Sequence, residues 1–382
     1  MIESPRIAVV GGGPAGSTCA RELAQAGARV DLFEAGPDAE KPCGGGVPAA
    51  ALREFAELAN PKLPRRVVRQ VSIYSPSGRL AVVPLEGGIH IFKRRELDSC
   101  LRRGAVSAGA VLVPARVTRA RRTSAGRWEL VTEAGTMGPY DQLIGADGVR
   151  GAIRRALAGR FGDDQLTLAI YAYVPGVARC EMALKFFGDF DGYLWIFPRT
   201  DHVSVGICAR HKHVEAARLE DELHRFVDRH YPEARFSPAQ LSGYFIPSSR
   251  RPAGPLKGEG WALVGDAAGF VDPLTREGIS WAMRSGASLA RSTARRASLR
   301  TPALPRDLRL AHKHARGFYR RDFLESMTRL VSASPAIRGV MADLFTGRQG
   351  YRGLRTRLLA NALPCGLQVG LRVLRGPVPG EE

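Results

Sequence analysis

Acidic residues are scarce in this chain, with 37 against 56 basic residues and a net charge of +19 over 382 residues. Lysine is scarcer still: 7 of the basic residues are Lys and 49 are Arg. The six cysteines (19, 43, 100, 180, 208 and 365) contain no C-x-x-C pair. That spacing argues against a disulfide scaffold, a zinc ribbon or an iron–sulfur centre, and no metal site is expected. No apolar run reaches the ~18 residues of a membrane span, and the apolar stretch near the N-terminus is too short for a signal peptide. The expected setting is cytoplasmic, with peripheral contact at the inner membrane face. No zinc-finger, RRM or KH pattern is present and aromatics do not interleave with the basic residues, so nucleic acid is not expected as a partner.

What is present is a globular composition, 45% hydrophobic and 24% charged, with length for two or three domains. Ile7–Val10 reads as a buried strand running into Gly11, Gly13 and Gly16, a G-x-G-x-x-G that opens a helix. A second strand follows and ends at Glu34. In that context the glycines mark a dinucleotide site. Gly11 permits the turn, Gly13 admits a pyrophosphate, and Gly16 lets helix and strand pack. Glu34 accepts from a ribose diol and repels a 2′-phosphate, which favours FAD or NAD over NADP. Further on, a strand ends in Gly265-Asp266, where an aspartate suits the ribityl hydroxyls of a flavin. The segment 273–279 then turns into a helix whose backbone N–H groups at Gly278 and Ile279 suit the flavin pyrimidine edge.

The expected architecture is mixed α/β. A Rossmann-like FAD-binding domain (1–60, 90–160 and 250–300) interleaves with an antiparallel-sheet substrate domain (61–89 and 161–249). A basic helical region (301–382) follows. Residues 166–174, 181–187, 192–197 and 202–208 read as successive antiparallel strands. From Arg291 onward there are 18 basic and 6 acidic residues. The stretch 351–375 has leucines at helical spacing flanked by arginines, which fits an amphipathic helix on anionic lipid or a cap on the protein's own core.

Five segments, VVGGGPAGS (9–17), KPCGGGV (41–47), GADGVRGAIRR (145–155), GYLWIFPR (192–199) and GDAAGFVDPLTREGI (265–279), resemble the geranylgeranyl reductase family of FAD-dependent oxidoreductases, within the aromatic-hydroxylase-like flavoproteins. The resemblance implies reduction of isolated double bonds in a polyprenyl lipid or quinone tail. It implies an external donor, NAD(P)H or ferredoxin, which the residues leave open. Cofactor-binding positions carried over are Gly11, Gly13, Ala15, Gly16, Glu34, Ala35, Arg94, Asp266, Gly278 and Ile279. Asp147 and Gly148 match a motif that supports the pyrophosphate or caps a helix. Cys43, in its glycine-rich loop, is the candidate catalytic residue, either as proton donor or pressed on the flavin face. Tyr193, Trp195 and Phe197 share one face of a strand and are the candidate wall of an apolar substrate tunnel. Three alternatives stay open on the residues alone: an aromatic monooxygenase, a halogenase, and an electron-transfer flavoprotein with no small substrate. The halogenase reading is weakened by Tyr193 and Phe197 where W-x-W-x-I-P has Trp and Ile, and by the lack of an assignable reactive lysine.

Overall fold

The computed structural model describes residues 4–176, 181–248, 254–296 and 306–361. The chain opens with β1 (Arg6–Val10), α1 (Pro14–Gln25) and β2 (Arg29–Phe33). After a loop come β3 (Gly46–Pro48), α2 (Ala49–Glu54), the hairpin β4 (Arg66–Tyr74) and β5 (Leu80–Ile91), and α3 (Arg94–Ser107). Next are β6 (Val111–Val113), a meander of β7 (Val117–Arg122), β8 (Trp128–Thr132) and β9 (Gly135–Tyr140), then β10 (Gln142–Gly145) and α4 (Ala152–Ala158). The middle of the chain supplies β11 (Leu166–Pro175), β12 (Met182–Phe186), β13 (Gly192–Pro198), β14 (His202–Arg210), α5 (Ala216–His230) and β15 (Ser242–Pro247). It closes with β16 (Lys257–Gly258), β17 (Trp261–Leu263), α6 (Ile279–Arg296), α7 (Arg306–Phe318), α8 (Arg321–Ala333) and α9 (Pro335–Thr346).

The first sheet has the order β16-β17-β10-β1-β2-β6, parallel except at its β16 edge. Its central strands are covered on both faces, so β1 is apolar at every position after Arg6 rather than alternating. The second sheet has the order β15-β11-β14-β13-β12-β4-β5-β3. Strand β5 alternates exposed and buried from Leu80 to Leu85, as a strand with one covered face does. Helices α8 and α9 pack on this sheet, with Val331, Ile337 and Ala342 joining its core beside Val83 and Leu85.

Three expectations need correction. Strand β11 pairs with β14 and β15, not with its sequence neighbour β12. Strand β12 instead lies parallel to β4 (Leu184 opposite Ile73), so the two runs of strands form one sheet. The β-branched run over 111–120 predicts a single strand, but it forms two, β6 in the parallel sheet and β7 in the meander, because the chain changes sheets between them. The sequence also predicts a helix over 277–297, but it starts at Ile279, since residues 272–278 are held as a loop.

Candidate active site

At the end of β1 the chain turns on Gly11, whose φ of 109° and whose distance to Ala146 (a Cβ would meet its carbonyl oxygen at 2.3 Å) both require glycine. A Cβ on Gly16 would fall 1.9 Å from the Gly11 carbonyl oxygen. Gly13 differs: its φ is −75°, which any residue adopts, and a Cβ there meets no protein atom within 4 Å. The fold has no need of glycine at 13, whereas a bound phosphate does. The N-terminus of α1 has no side-chain cap and no acidic residue in its first turn, so its N–H groups are left for an anion. Ala15 is buried in that turn. Glu34 accepts from the Gly12 N–H at 2.8 Å and the Gly36 N–H at 2.9 Å, and with Ala35 it lines the cavity above β2.

That cavity, about 1510 Å³, extends past Asp266, Gly278 and Ile279 and on between the second sheet and the C-terminal helices. It exceeds the ~300–1,000 Å³ typical of a single-ligand pocket, so a dinucleotide and a second molecule fit together. With the room that the protein leaves over Gly13 and the uncapped α1, the residues fit FAD.

The 40–46 loop forms the floor where the two parts meet. Glu40 accepts from the N–H groups of Arg94 (2.9 Å) and Arg95 (2.8 Å), capping α3, and pairs with Arg199 at 2.5 Å. Burial alone would raise the Glu40 carboxyl, but these donors bring its pKa below the ordinary value. Lys41 pairs with Asp266 at 3.1 Å. Arg199, fully buried, donates to the Cys43 carbonyl at 2.5 Å and lies over the Tyr173 ring. The Gly45 N–H donates to Cys43 Sγ at 3.2 Å. Arg94 is also buried, closed in a bidentate pair with Asp98 (3.1 and 2.9 Å) and set beside the Cys43 side chain. Burial opposes its charge, yet Asp98 and Cys43 hold its pKa above the ordinary value.

Above the loop, Tyr193, Trp195 and Phe197 all line the cavity from β13, joined by Met182, Leu184 and Met327. Phe197 lies against the glycine loop, where a Cβ on Gly44 would meet its ring at 2.6 Å. The loop 272–277 is held by three tyrosine hydroxyls. Tyr193 donates to the Thr275 carbonyl (2.5 Å), Tyr319 to the Leu274 carbonyl (2.6 Å) and Tyr351 to the Asp272 carboxylate (2.7 Å). Asp147 accepts from Ile153 N–H at 2.7 Å and Arg154 N–H at 3.3 Å, so it caps α4. Gly148 beside it lines the cavity.

Lys41 and Arg102 are among the cavity residues that the sequence did not mark. Lys41 stands in a quoted motif, but its partner Asp266 is 225 residues away. Arg102 donates to the Gly12 carbonyl at 3.2 Å, and its signal was the four-residue spacing from Arg94 through Asp98 on one face of α3. Among the described residues, no cluster of His, Cys, Asp or Glu could hold a metal ion, and no helix is long and apolar enough to cross a membrane.

Residues 9–44 match a family model for an NAD(P)-binding Rossmann-like domain. The chain is 32% identical over 304 residues to the geranylgeranyl diphosphate reductase of Synechocystis, covering 73% of each chain. It is 31% identical to the digeranylgeranylglycerophospholipid reductase of Methanothrix thermoacetophila, covering 73% of this chain and 75% of that one. Its fold matches a geranylgeranyl bacteriochlorophyll reductase-like protein of Thermoplasma acidophilum, with TM-score 0.76 and 22% identity over 94% of this chain and 99% of that one. The flavin-dependent brominase Bmp2 shares the fold at TM-score 0.72 and 20% identity, over 94% and 99% of the two chains. On this identity and coverage, the chain belongs to the geranylgeranyl reductase family of FAD-dependent oxidoreductases.

Proposed function

We propose that this protein reduces isolated carbon–carbon double bonds of a polyprenyl chain, carried by a lipid or a quinone. The observation that carries the reading is the continuity of one cavity, from the phosphate-sized space over Gly13 to an apolar sleeve walled by β13, α8 and α9. Bound FAD, when reduced, supplies a hydride for an alkene carbon. The protein's part is to place the chain and supply the proton. Glu34 and the α1 N-terminus hold the adenosine and pyrophosphate end, while Asp266, Gly278 and Ile279 hold the flavin end. Phe197, Trp195 and Tyr193 lay the apolar chain along the wall and exclude water. Cys43 Sγ holds a proton at the meeting point of cofactor and chain, on a loop fixed by Arg199 and Glu40.

The FAD-binding role belongs to 1–60, 90–160 and 250–300 and the substrate role to the sheet of 61–89 and 161–249, whose edge is completed by β3 (Gly46–Pro48) from the first segment and the end of β5 at Ile91. The dinucleotide loop is taken by FAD, so the external donor, a nicotinamide or a ferredoxin, docks without a second such loop. A polyprenyl substrate leaves a bilayer to reach the sleeve, which fits peripheral contact of the basic C-terminal region with anionic lipid. Anaerobic photoreduction followed by mixing tests the reading. Flavin reoxidation by a polyprenyl lipid, with a gain of two mass units per bond, is the expected result. Reoxidation only by oxygen with insertion into an aromatic compound would mark a hydroxylase. Exchange with a redox protein alone would mark an electron carrier.

A further inference from the structure

Arg276 is the one non-glycine residue with positive φ, 56°, among the described residues. An L side chain in that conformation costs energy that glycine would not. It sits in the loop held by the three tyrosines and is 8% exposed. None of its guanidinium nitrogens, Nε, Nη1 or Nη2, has an oxygen or nitrogen hydrogen-bond partner. The Tyr319 ring faces it at 5.7 Å, and the Cys208 thiol beside it is a weak acceptor at best. Asp272 and Asp191 are within electrostatic reach, but neither pairs with it. The Asp272 oxygens are taken by Leu274, Thr275 and Tyr351, and Asp191 sits with Arg210 at 3.5 Å. A buried cation without an acceptor is unfavourable, and the residue lines the large cavity at its cofactor end.

We infer that Arg276 anchors an oxyanion of the ligand, a carboxylate or phosphate at one end of an apolar molecule, which therefore enters the cavity charged end first. The guanidinium fork matches such groups in two-point hydrogen bonds. The surrounding wall, Tyr193, Trp195 and Leu274, suits the apolar body that follows. A plain hydrocarbon in the same place would leave the charge unmatched. The inference rests on the reductase reading only for the elongated apolar shape of the ligand.

The test is equilibrium binding to the oxidised holoenzyme, without turnover, so failure of double-bond reduction would not be mistaken for failure here. Geranylgeranoic acid and geranylgeraniol share one chain and differ in the charged end, and quenching of tryptophan fluorescence reads their binding. The acid should bind about tenfold or more tighter than the alcohol. Arg276→Gly, which suits the backbone and so is the fold-safe truncation, should abolish that preference while leaving the alcohol's affinity unchanged. Arg276→Lys should retain part of it. Inorganic phosphate should compete with the acid and not with the alcohol. Equal affinities for acid and alcohol in the native protein, or a preference that survives in the glycine variant, would overturn the inference. So would quenching by inorganic phosphate alone equal to that by the acid, which would indicate a free-anion site.

Discussion

The Tyr351 hydroxyl donates a 2.7 Å hydrogen bond to the Asp272 carboxylate, joining the C-terminal segment to the cofactor loop 79 residues earlier. Both groups are buried, at 6% and 4% exposure. Burial pushes the Asp272 pKa up, while Tyr351 and the N–H groups of Leu274 and Thr275 pull it back. Tyr351→Phe leaves that carboxylate one donor short at a cost of about 1–3 kcal/mol. A lowered melting temperature is expected together with weaker FAD retention, because the same loop carries Gly278. An unchanged melting temperature would mean that the bond contributes nothing net.

The glycines of the first turn separate fold from ligand. Gly13→Glu projects into space that no protein atom occupies within 4 Å of the Cβ, so thermal stability of the apoprotein should stay within about 0.5 kcal/mol. Flavin content should fall to nothing, through lost room and added repulsion. Gly11→Ala should instead destabilise the fold itself, by about 1–3 kcal/mol or more, because of its φ of 109° and its 2.3 Å approach to the Ala146 carbonyl. A Gly13→Glu protein that still purifies with full flavin would put the pyrophosphate elsewhere.

Cys43→Ala should leave FAD content unchanged and slow single-turnover alkene reduction by about a hundredfold, the lower range for loss of a general acid. Arg199→Ala should slow it too, but with a changed flavin spectrum, since the Cys43 carbonyl and Glu40 both lose their buried partner. If stopped-flow traces for Cys43→Ala overlay the native ones, the thiol merely fills space in the loop.

Asp147 gives a pH dependence with a defined sign. Burial raises its pKa to about 6 from 3.8, against the N–H donors of Ile153 and Arg154. The folded state therefore binds this proton more tightly than the unfolded state. Its stabilising contribution is full below about pH 4 and is lost as pH rises through 6, by up to about 3 kcal/mol. Asp147→Asn keeps an oxygen to cap α4 and removes the titration. Melting curves from pH 4 to 7 should show the variant gaining on the native protein as pH rises. Parallel curves would assign the native pH slope to other groups.

Legibility in the sequence followed distance along the chain. The β1–α1–β2 unit and its glycines are local, so periodicity and turn chemistry placed them. The parallel pairing of β12 with β4 was hidden, because nothing in either strand names a partner more than a hundred residues away. The site divides in the same way. Gly13, Glu34 and the Tyr193–Trp195–Phe197 face were readable from spacing, and all line the cavity. The Lys41–Asp266 pair and the Arg199 clamp on Cys43 depend on tertiary approach. The left-handed backbone at Arg276 had no local signal, since Arg is not a residue that marks such a turn.

The C-terminal stretch 351–375 was open between a lipid-facing helix and a cap, and the described part, to residue 361, packs as a cap. Tyr351 and Leu354 are buried, Leu358 joins the core beneath α8 and α9, and Arg357 pairs with Asp343 at 2.6 Å. Leu359 points outward, 71% exposed, near the exposed Arg352 and Arg355. Residues 362–375, with Arg372 and Arg375, lie outside the described residues. Two truncations divide the stretch accordingly. A chain ending at Gly350 deletes the buried Tyr351 and Leu354, uncovering the core they pack against and the Asp272 carboxylate, and should lose about 3–6 kcal/mol of stability. A chain ending at Asn361 keeps those contacts and should melt with the full chain and hold FAD. Co-sedimentation with anionic and neutral vesicles then locates the membrane contact. Salt-sensitive binding to anionic vesicles that disappears in the chain ending at Asn361 would place the contact in the last 21 residues. Binding retained by that chain would place it on the face of Arg352, Arg355 and Leu359. No binding by the full chain at low salt, where each arginine near an anionic surface is worth about 1 kcal/mol, would end the membrane reading.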